Sequence, residues 1–266
     1  MRESLNRQLF FDGAMGTMLQ HYGMPGNTSS GTQNVECAEI VIDIHKQYLD
    51  AGADVLTANT FGVYDYETIA LAMDHARKAG AKLVAMNIGP TGELLEPYGD
   101  LSFDDCYERF LQASDAGAKA GADLILIETM MDFNELKAAV SAAKTTGLSI
   151  IATMSFDQMG KTIMGASPQD MVSLLESLEI DALGMNCGYG PDLYETLLMD
   201  LTTQLPILIQ PNAGLPEFID GKATYNMSPQ VFAESMAKIS TKAKLLGGCC
   251  GTTPEHIKEM IALCRQ

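Results

Sequence analysis

The chain contains no tryptophan and few basic residues: 17 Lys+Arg stand against 34 Asp+Glu, a formal net charge of −17 with histidine neutral. Nucleic acid and anionic lipid both require basic patches, so this balance excludes them as partners. No run of about 18 apolar residues is present to cross a bilayer. The first residues, Met1 to Gln8, set charges on both sides of Leu5 and lack the apolar core of a signal peptide. A soluble, cytoplasmic protein with no membrane partner is expected. Six cysteines in 266 residues are too sparse for a disulfide scaffold, and a reducing compartment keeps them as thiols. Hydrophobic residues nevertheless reach 47%, enough to fill a core and exclude intrinsic disorder. A small-molecule enzyme, or a protein with a basic partner, fits these limits.

Eight short apolar runs bounded by turn signals read as strands buried on both faces. They are 9–12, 54–57, 82–86, 124–128, 149–153, 182–186, 206–209 and 244–247. Amphipathic stretches lie between them, among them 41–51, 103–120, 134–145 and 168–178. Gly52, Gly121 and Gly147 follow three of these, where glycine suits the left-handed position after a helix. Strand starts recur every roughly 33 residues, the size of one βα unit. Eight such units predict a (β/α)8 TIM barrel, an α/β fold, as a single domain over residues 1–266. A doubly wound dinucleotide fold needs Gly-x-Gly-x-x-Gly after a strand, and Gly188-Tyr189-Gly190 is followed by Leu193 where the third glycine belongs.

Active sites of such barrels lie at the C-terminal ends of the strands. Cys187 ends the sixth strand, and Cys249 and Cys250 follow the eighth. Three converging thiolates suit a soft tetrahedral zinc ion with one position left open. Neighbouring residues on a regular strand point to opposite faces, so the vicinal pair requires unusual backbone, which Gly247, Gly248 and Gly251 permit. The same residues also fit buried packing or a redox-active vicinal pair. Cys37, Cys106 and Cys264 fall in helical stretches and read as core packing.

A zinc ion on three thiolates leaves a net charge of −1. A thiol arriving as fourth ligand would lose its proton yet stay electron-rich, which suits alkyl transfer to a substrate sulfur better than hydrolysis. Glu128 would pair with an ammonium group, the Gly13–Thr17 loop (including Gly16 and Thr17) offers backbone N–H groups to a carboxylate, and Asp12 closes the mouth beside them. Capping of nearby loops and helices accounts for Asp12 and Glu128 equally well. The segment Ser155–Thr162 falls one glycine short of a phosphate loop. His21, His45, His75 and His256 show no ligand spacing and read as surface or helix-cap residues.

Several motifs run across nearly the whole chain in one order. They are Asp12-Gly13-Ala14-Met15-Gly16-Thr17, Thr57-Ala58-Asn59-Thr60-Phe61-Gly62, Gly89-Pro90-Thr91-Gly92-Glu93 and Glu128-Thr129. Asn186-Cys187, Pro211-Asn212-Ala213-Gly214 and the segment from Gly247-Gly248-Cys249-Cys250-Gly251 to His256 complete them. On these residues the chain resembles the zinc-dependent homocysteine S-methyltransferases, most closely the homocysteine-binding barrel of cobalamin-dependent methionine synthase. The resemblance implies methylation of homocysteine to methionine, with one Zn2+ on Cys187, Cys249 and Cys250. It further implies that Glu128 meets the substrate ammonium, that Gly16 and Thr17 hold its carboxylate, and that Asp12 lines the pocket. Asn212 is implied to lie near the zinc, filling the open position when substrate is absent.

The sequence to Gln266 contains no Asp-x-His-x-x-Gly corrinoid-ligand motif, and the eight units are expected to leave no room for a donor-binding module. The expected donor is therefore methylcobalamin on a separate corrinoid protein. The alternatives are a sulfonium such as S-methylmethionine, or a thiol-presenting subunit without activity of its own. A betaine donor is disfavoured because tryptophan, a usual partner of quaternary ammonium groups, is absent.

Overall fold

A computed structural model describes residues 2–26, 28–219 and 222–265. Eight parallel strands form the wall: β1 (Leu9–Phe10), β2 (Val55–Thr57), β3 (Leu83–Ile88), β4 (Leu124–Met130), β5 (Ser149–Met154), β6 (Ala182–Cys187), β7 (Ile207–Pro211) and β10 (Leu245–Leu246). They neighbour one another in the order β1-β10-β7-β6-β5-β4-β3-β2. A parallel bridge between Phe11 and Val55 brings β1 back to β2 and rounds the sheet into a (β/α)8 barrel. All eight predicted strands are present.

The alternation of strand side chains divides the core into two layers. Leu9, Phe11, Val55, Ala85, Leu124, Leu126, Ile151, Ala182, Leu208 and Leu245 fill the barrel interior, and Leu5, from a 3₁₀ turn at Arg2–Asn6, packs with them. The alternate residues, among them Phe10, Leu56, Val84, Ile125 and Leu183, meet the surrounding helices instead. Those helices include α3 (Ala38–Asp50), α4 (Tyr66–Lys78), α5 (Phe103–Lys119), α6 (Phe133–Lys144), α7 (Pro168–Ser177), α8 (Pro191–Leu197), α9 (Pro229–Ile239) and α10 (Pro254–Cys264). Asp65, Ser102, Asp132, Ser167 and Ser228 each accept a backbone N–H at a helix start. Such a cap contributes about 1 kcal/mol. Gly52, Gly121 and Gly147 all have positive φ, as their place after helices predicts.

Three features depart from the sequence reading. An antiparallel hairpin, β8 (Pro216–Ile219) with β9 (Lys222–Tyr225), interrupts the seventh βα unit. Its residues alternate too briefly to stand out as strands. The vicinal cysteines lie beyond β10, which ends at Leu246, so the opposite-faces difficulty does not arise. His45 and His75 are not surface residues: both are buried in the helix layer, and neither ring nitrogen of His45 has a partner. Burial, followed by the neighbouring His75, pushes His45 down to about 3. Among the described residues, no helix is long and apolar enough to cross a membrane.

Candidate active site

The strand ends surround a cavity of about 320 Å³. Its lining includes Asp12, Gly16, Thr17, Glu128, Cys187, Cys249 and Cys250. Seven of the eight residues singled out from the sequence therefore meet in one place. Asn212 is not among the lining residues, but it lies alongside. Cys249 N–H donates to Pro211 O at 2.8 Å and Ala213 N–H to Cys250 O at 2.9 Å, which places Asn212 between the two contacts.

The cysteine trio is built by backbone as much as by side chains. Cys187 ends β6 with φ +62°, a left-handed conformation that costs a non-glycine residue about 1–3 kcal/mol. Its carbonyl is fixed from two sides, by the Tyr189 N–H at 2.8 Å and by the Tyr194 hydroxyl. Cys249 and Cys250 are held in a turn whose Thr252 N–H returns to Cys249 O at 3.1 Å. The Thr252 hydroxyl donates to the same oxygen at 2.7 Å and accepts from Ala14 N–H at 3.2 Å, tying this turn to the Gly13–Thr17 loop. Thr17 joins the same connection, its hydroxyl oxygen accepting from Gly251 N–H at 3.1 Å.

The three sulfurs are free thiols within 4.8 Å of one another, and Cys249 and Cys250 are 4.0 Å apart. With metal–sulfur bonds of about 2.3 Å, a tetrahedral centre needs sulfur–sulfur edges of about 3.8 Å. The trio is thus close to the geometry a metal requires. A second observation agrees: Asn212 Nδ2 donates to Gly188 O at 3.1 Å, while its buried Oδ1 has no partner. In the free trio, hydrogen bonds from Cys187 and then Cys249 hold the Cys250 thiol down to about 3. Cys249 is pushed well up, first by Cys187 and then by Cys250.

Two carboxyls complete the floor. Asp12 is 3% exposed, and its Oδ2 accepts from Thr57 N–H at 2.8 Å. Burial lifts its pKa to about 7, against the lowering effect of that bond. Glu128 is half-buried with its open edge toward the cavity, and burial again lifts its pKa to about 7. Asn87 Nδ2 donates to Glu128 Oε1 at 2.8 Å, and Asn186 Nδ2 reaches Oε2 at 3.3 Å. Neither amide stands out in the sequence as a site residue. Their place at the ends of β3 and β6 was visible in the sequence, but their partners were not. The same holds for Gln210 on β7. The cavity-lining residues Thr57, Asn87 and Gln210 each hold a buried oxygen without a donor. The two carboxyls and these acceptors form a surface suited to an ammonium group.

Fold and site together define a barrel protein with a soft-metal ligand set and an acceptor-lined pocket at its strand ends. Residues 9–264 match the family model of homocysteine S-methyltransferase, and the chain belongs to that family. It is 30% identical over 294 aligned positions to methionine synthase of Mycobacterium tuberculosis, covering 96% of this chain and 24% of that protein. The methionine synthase of Mycobacterium leprae is 29% identical over the same shares. The chain thus spans about a quarter of the length of these two relatives. Among solved structures it is similar to the homocysteine methyltransferase MmuM from Escherichia coli. The oxidized form superposes with a TM-score of 0.77 at 27% identity, over 96% of this chain and 95% of that one. The metallated form gives 0.76 at 25% identity, over 98% and 97%. A type I 3-dehydroquinate dehydratase from Clostridium difficile shares the fold alone, at 12% identity and a TM-score of 0.57.

Proposed function

We propose that the chain methylates homocysteine to methionine, with the substrate sulfur activated at a zinc ion held by Cys187, Cys249 and Cys250. The observation that carries this reading is the convergence of three thiols, within 4.8 Å of one another, on a cavity that also contains the carboxyls of Asp12 and Glu128. Zinc, when bound, lowers the pKa of the substrate thiol and keeps the resulting thiolate reactive. Glu128, fixed by Asn87 and Asn186, takes the substrate ammonium, whose charge favours the ionised carboxylate. Asp12 adds a second carboxyl on the same floor. Gly16 and Thr17, at the start of the short helix α1 (Gly16–His21), receive the substrate carboxylate. Asn212 Oδ1, unpaired beside the two cysteines, would be available as a further oxygen ligand to the zinc in the absence of substrate.

The donor in this reading is methylcobalamin on a separate corrinoid protein. The sulfur lone pair forms the new S–CH3 bond, and the broken donor–carbon bond leaves its electron pair with the donor. A second reading, a sulfonium donor such as S-methylmethionine, is favoured by the likeness to a homocysteine methyltransferase along 95% of that chain. The test is methyl transfer by the purified, zinc-loaded chain with methylcobalamin, a methyl-corrinoid protein and S-methylmethionine, each supplied alone. Turnover with the corrinoid donors is expected. Activity with S-methylmethionine alone would replace the donor, and no activity with any of them would leave a thiol-presenting subunit.

A further inference from the structure

Behind the cavity wall a single phenol holds both the Gly13–Thr17 loop and the cysteine turn. Tyr48 is fully buried on α3, a helix of the outer layer. Its hydroxyl donates to Ala14 O at 2.8 Å and to Thr252 O at 3.1 Å. A phenol has one hydrogen, so the two carbonyls share it. Thr252, also fully buried, fastens the same two segments through its bonds with Ala14 N–H and Cys249 O. No side chain would fit among these groups. A Cβ on Gly13 would stand 2.6 Å from Thr252 Oγ1 and 2.9 Å from the Tyr48 oxygen, and one on Gly248 would stand 2.5 Å from Thr252 Oγ1. Gly248 N–H in turn donates to Asp12 O at 3.0 Å. Loop and turn are therefore joined as one unit. Gly16, Thr17, Cys249 and Cys250 line the cavity, whereas Tyr48 and Thr252 are not among the lining residues and act from behind it.

We propose that Tyr48 is a positioning residue that sets the distance between the substrate's carboxylate anchor and the metal, and so selects homocysteine over amino-acid thiols of another chain length. The inference rests on the reading of the trio as a metal centre and of Gly16 and Thr17 as the carboxylate anchor. An amino-acid thiol held at both ends must span a fixed length. Cysteine, one methylene shorter, cannot satisfy both anchors while they are held rigidly apart. The phenol acts where such a ligand is most sensitive, because one of the joined segments carries the carboxylate anchor and the other carries two of the three sulfurs. Without the hydroxyl, two buried carbonyls lose their shared donor and the two segments relax relative to each other. Cysteine then fits with less penalty, and homocysteine loses its exact span.

The test compares wild type with Tyr48→Phe, which keeps the ring and removes only the hydroxyl, and with Thr252→Val, which cuts the neighbouring tie. Each is loaded with Co2+, and the thiolate-to-cobalt charge-transfer band is followed as homocysteine or cysteine is added. Wild type is expected to bind homocysteine about tenfold or more tightly than cysteine. In Tyr48→Phe this ratio is expected to fall about fivefold, with cobalt content unchanged. Thr252→Val is expected to lower the ratio as well. An unchanged ratio in Tyr48→Phe, with both thiols bound as in wild type or both weakened equally, would overturn the proposal while leaving the metal centre standing. A wild-type band that responds to neither thiol would overturn it together with the metal reading on which it rests.

Discussion

The Asn186 side-chain amide reaches Glu128 Oε2 at 3.3 Å, and the next residue in the chain is Cys187. One residue thus joins the carboxyl end of the pocket to the sulfur end. Asn186 is fully buried and completely used: its Oδ1 accepts from Thr129 N–H at 2.8 Å and from the Thr153 hydroxyl at 2.7 Å, and its Nδ2 also donates to Thr129 Oγ1 at 2.8 Å. These bonds help fix the two left-handed residues, Thr129 with φ 61° and Cys187 with φ 62°, on β4 and β6, the strands on either side of β5. Strain here is offset by a saturated amide.

Replacing Glu128 with Gln removes the charge that faces an ammonium but keeps an oxygen for Asn87. Charge-assisted hydrogen bonds contribute about 1.5–3 kcal/mol, so kcat/KM for homocysteine is expected to fall roughly 10- to 100-fold. Metal content, measured on the same preparation, is expected to stay at the wild-type level. Parallel loss of metal would show that Glu128 supports the cysteines rather than the substrate.

Metal analysis checks the trio directly. About one zinc per chain is expected in the wild-type protein, with loss of both metal and methyl transfer on Cys187→Ala. Removal by a chelator should be reversible with zinc. A metal-free chain that still transfers methyl groups would refute the mechanism.

Asp12 makes stability depend on pH with a definite sign. Its pKa rises from 3.8 to about 7 on folding, chiefly through burial. The folded state therefore holds the proton more tightly, and the resulting stabilisation is complete below pH 3.8 and lost as pH rises through about 7. The shift corresponds to about 4 kcal/mol. Asp12→Asn retains an oxygen for the Thr57 N–H and cannot ionise. Urea denaturation of both metal-free proteins between pH 4 and pH 8 should show the variant gaining on wild type as pH rises. Parallel curves would exclude a raised Asp12.

Gly184 measures how tightly the wall closes behind the site. A Cβ at this position would stand 1.8 Å from Leu208 O on the paired strand β7. Backbone cannot move aside as a side chain can, so Gly184→Ala is expected to cost about 3 kcal/mol or more. A drop in melting temperature without loss of helical circular dichroism would agree. An unchanged melting temperature would place the two strands farther apart than described.

The barrel was legible because burial on both faces leaves a mark that single residues carry. Leu124 to Ile127 are all apolar and all fully buried, and the glycine after α5 takes the positive φ its place suggests. Cys187, Cys249 and Cys250 could be brought together from strand order alone, since the wall sets β6 and β10 on either side of β7. What the sequence hid depends on precise aim. Asn87, Asn186 and Gln210 sit at strand ends like many polar residues, and only their bonds distinguish them. Tyr225 belongs to a hairpin outside the repeat, with its ring against Gly251, and no periodicity leads to it. The left-handed backbone of Cys187 is likewise invisible in a residue type that rarely adopts it.

The bond between Asp12 and Thr57 has a consequence for the wall itself. Strands β1 and β2 meet through a single bridge, at Phe11 and Val55, and the next N–H along, that of Thr57, is satisfied by the Asp12 carboxyl instead of a backbone carbonyl. The side chain completes a rung that the short strand β1 leaves out. A charge drawn onto that carboxyl by a cation in the pocket therefore tightens the closing rung of the cylinder. Amide exchange at Thr57 becomes a gauge of pocket occupancy, read from the scaffold without following the reaction.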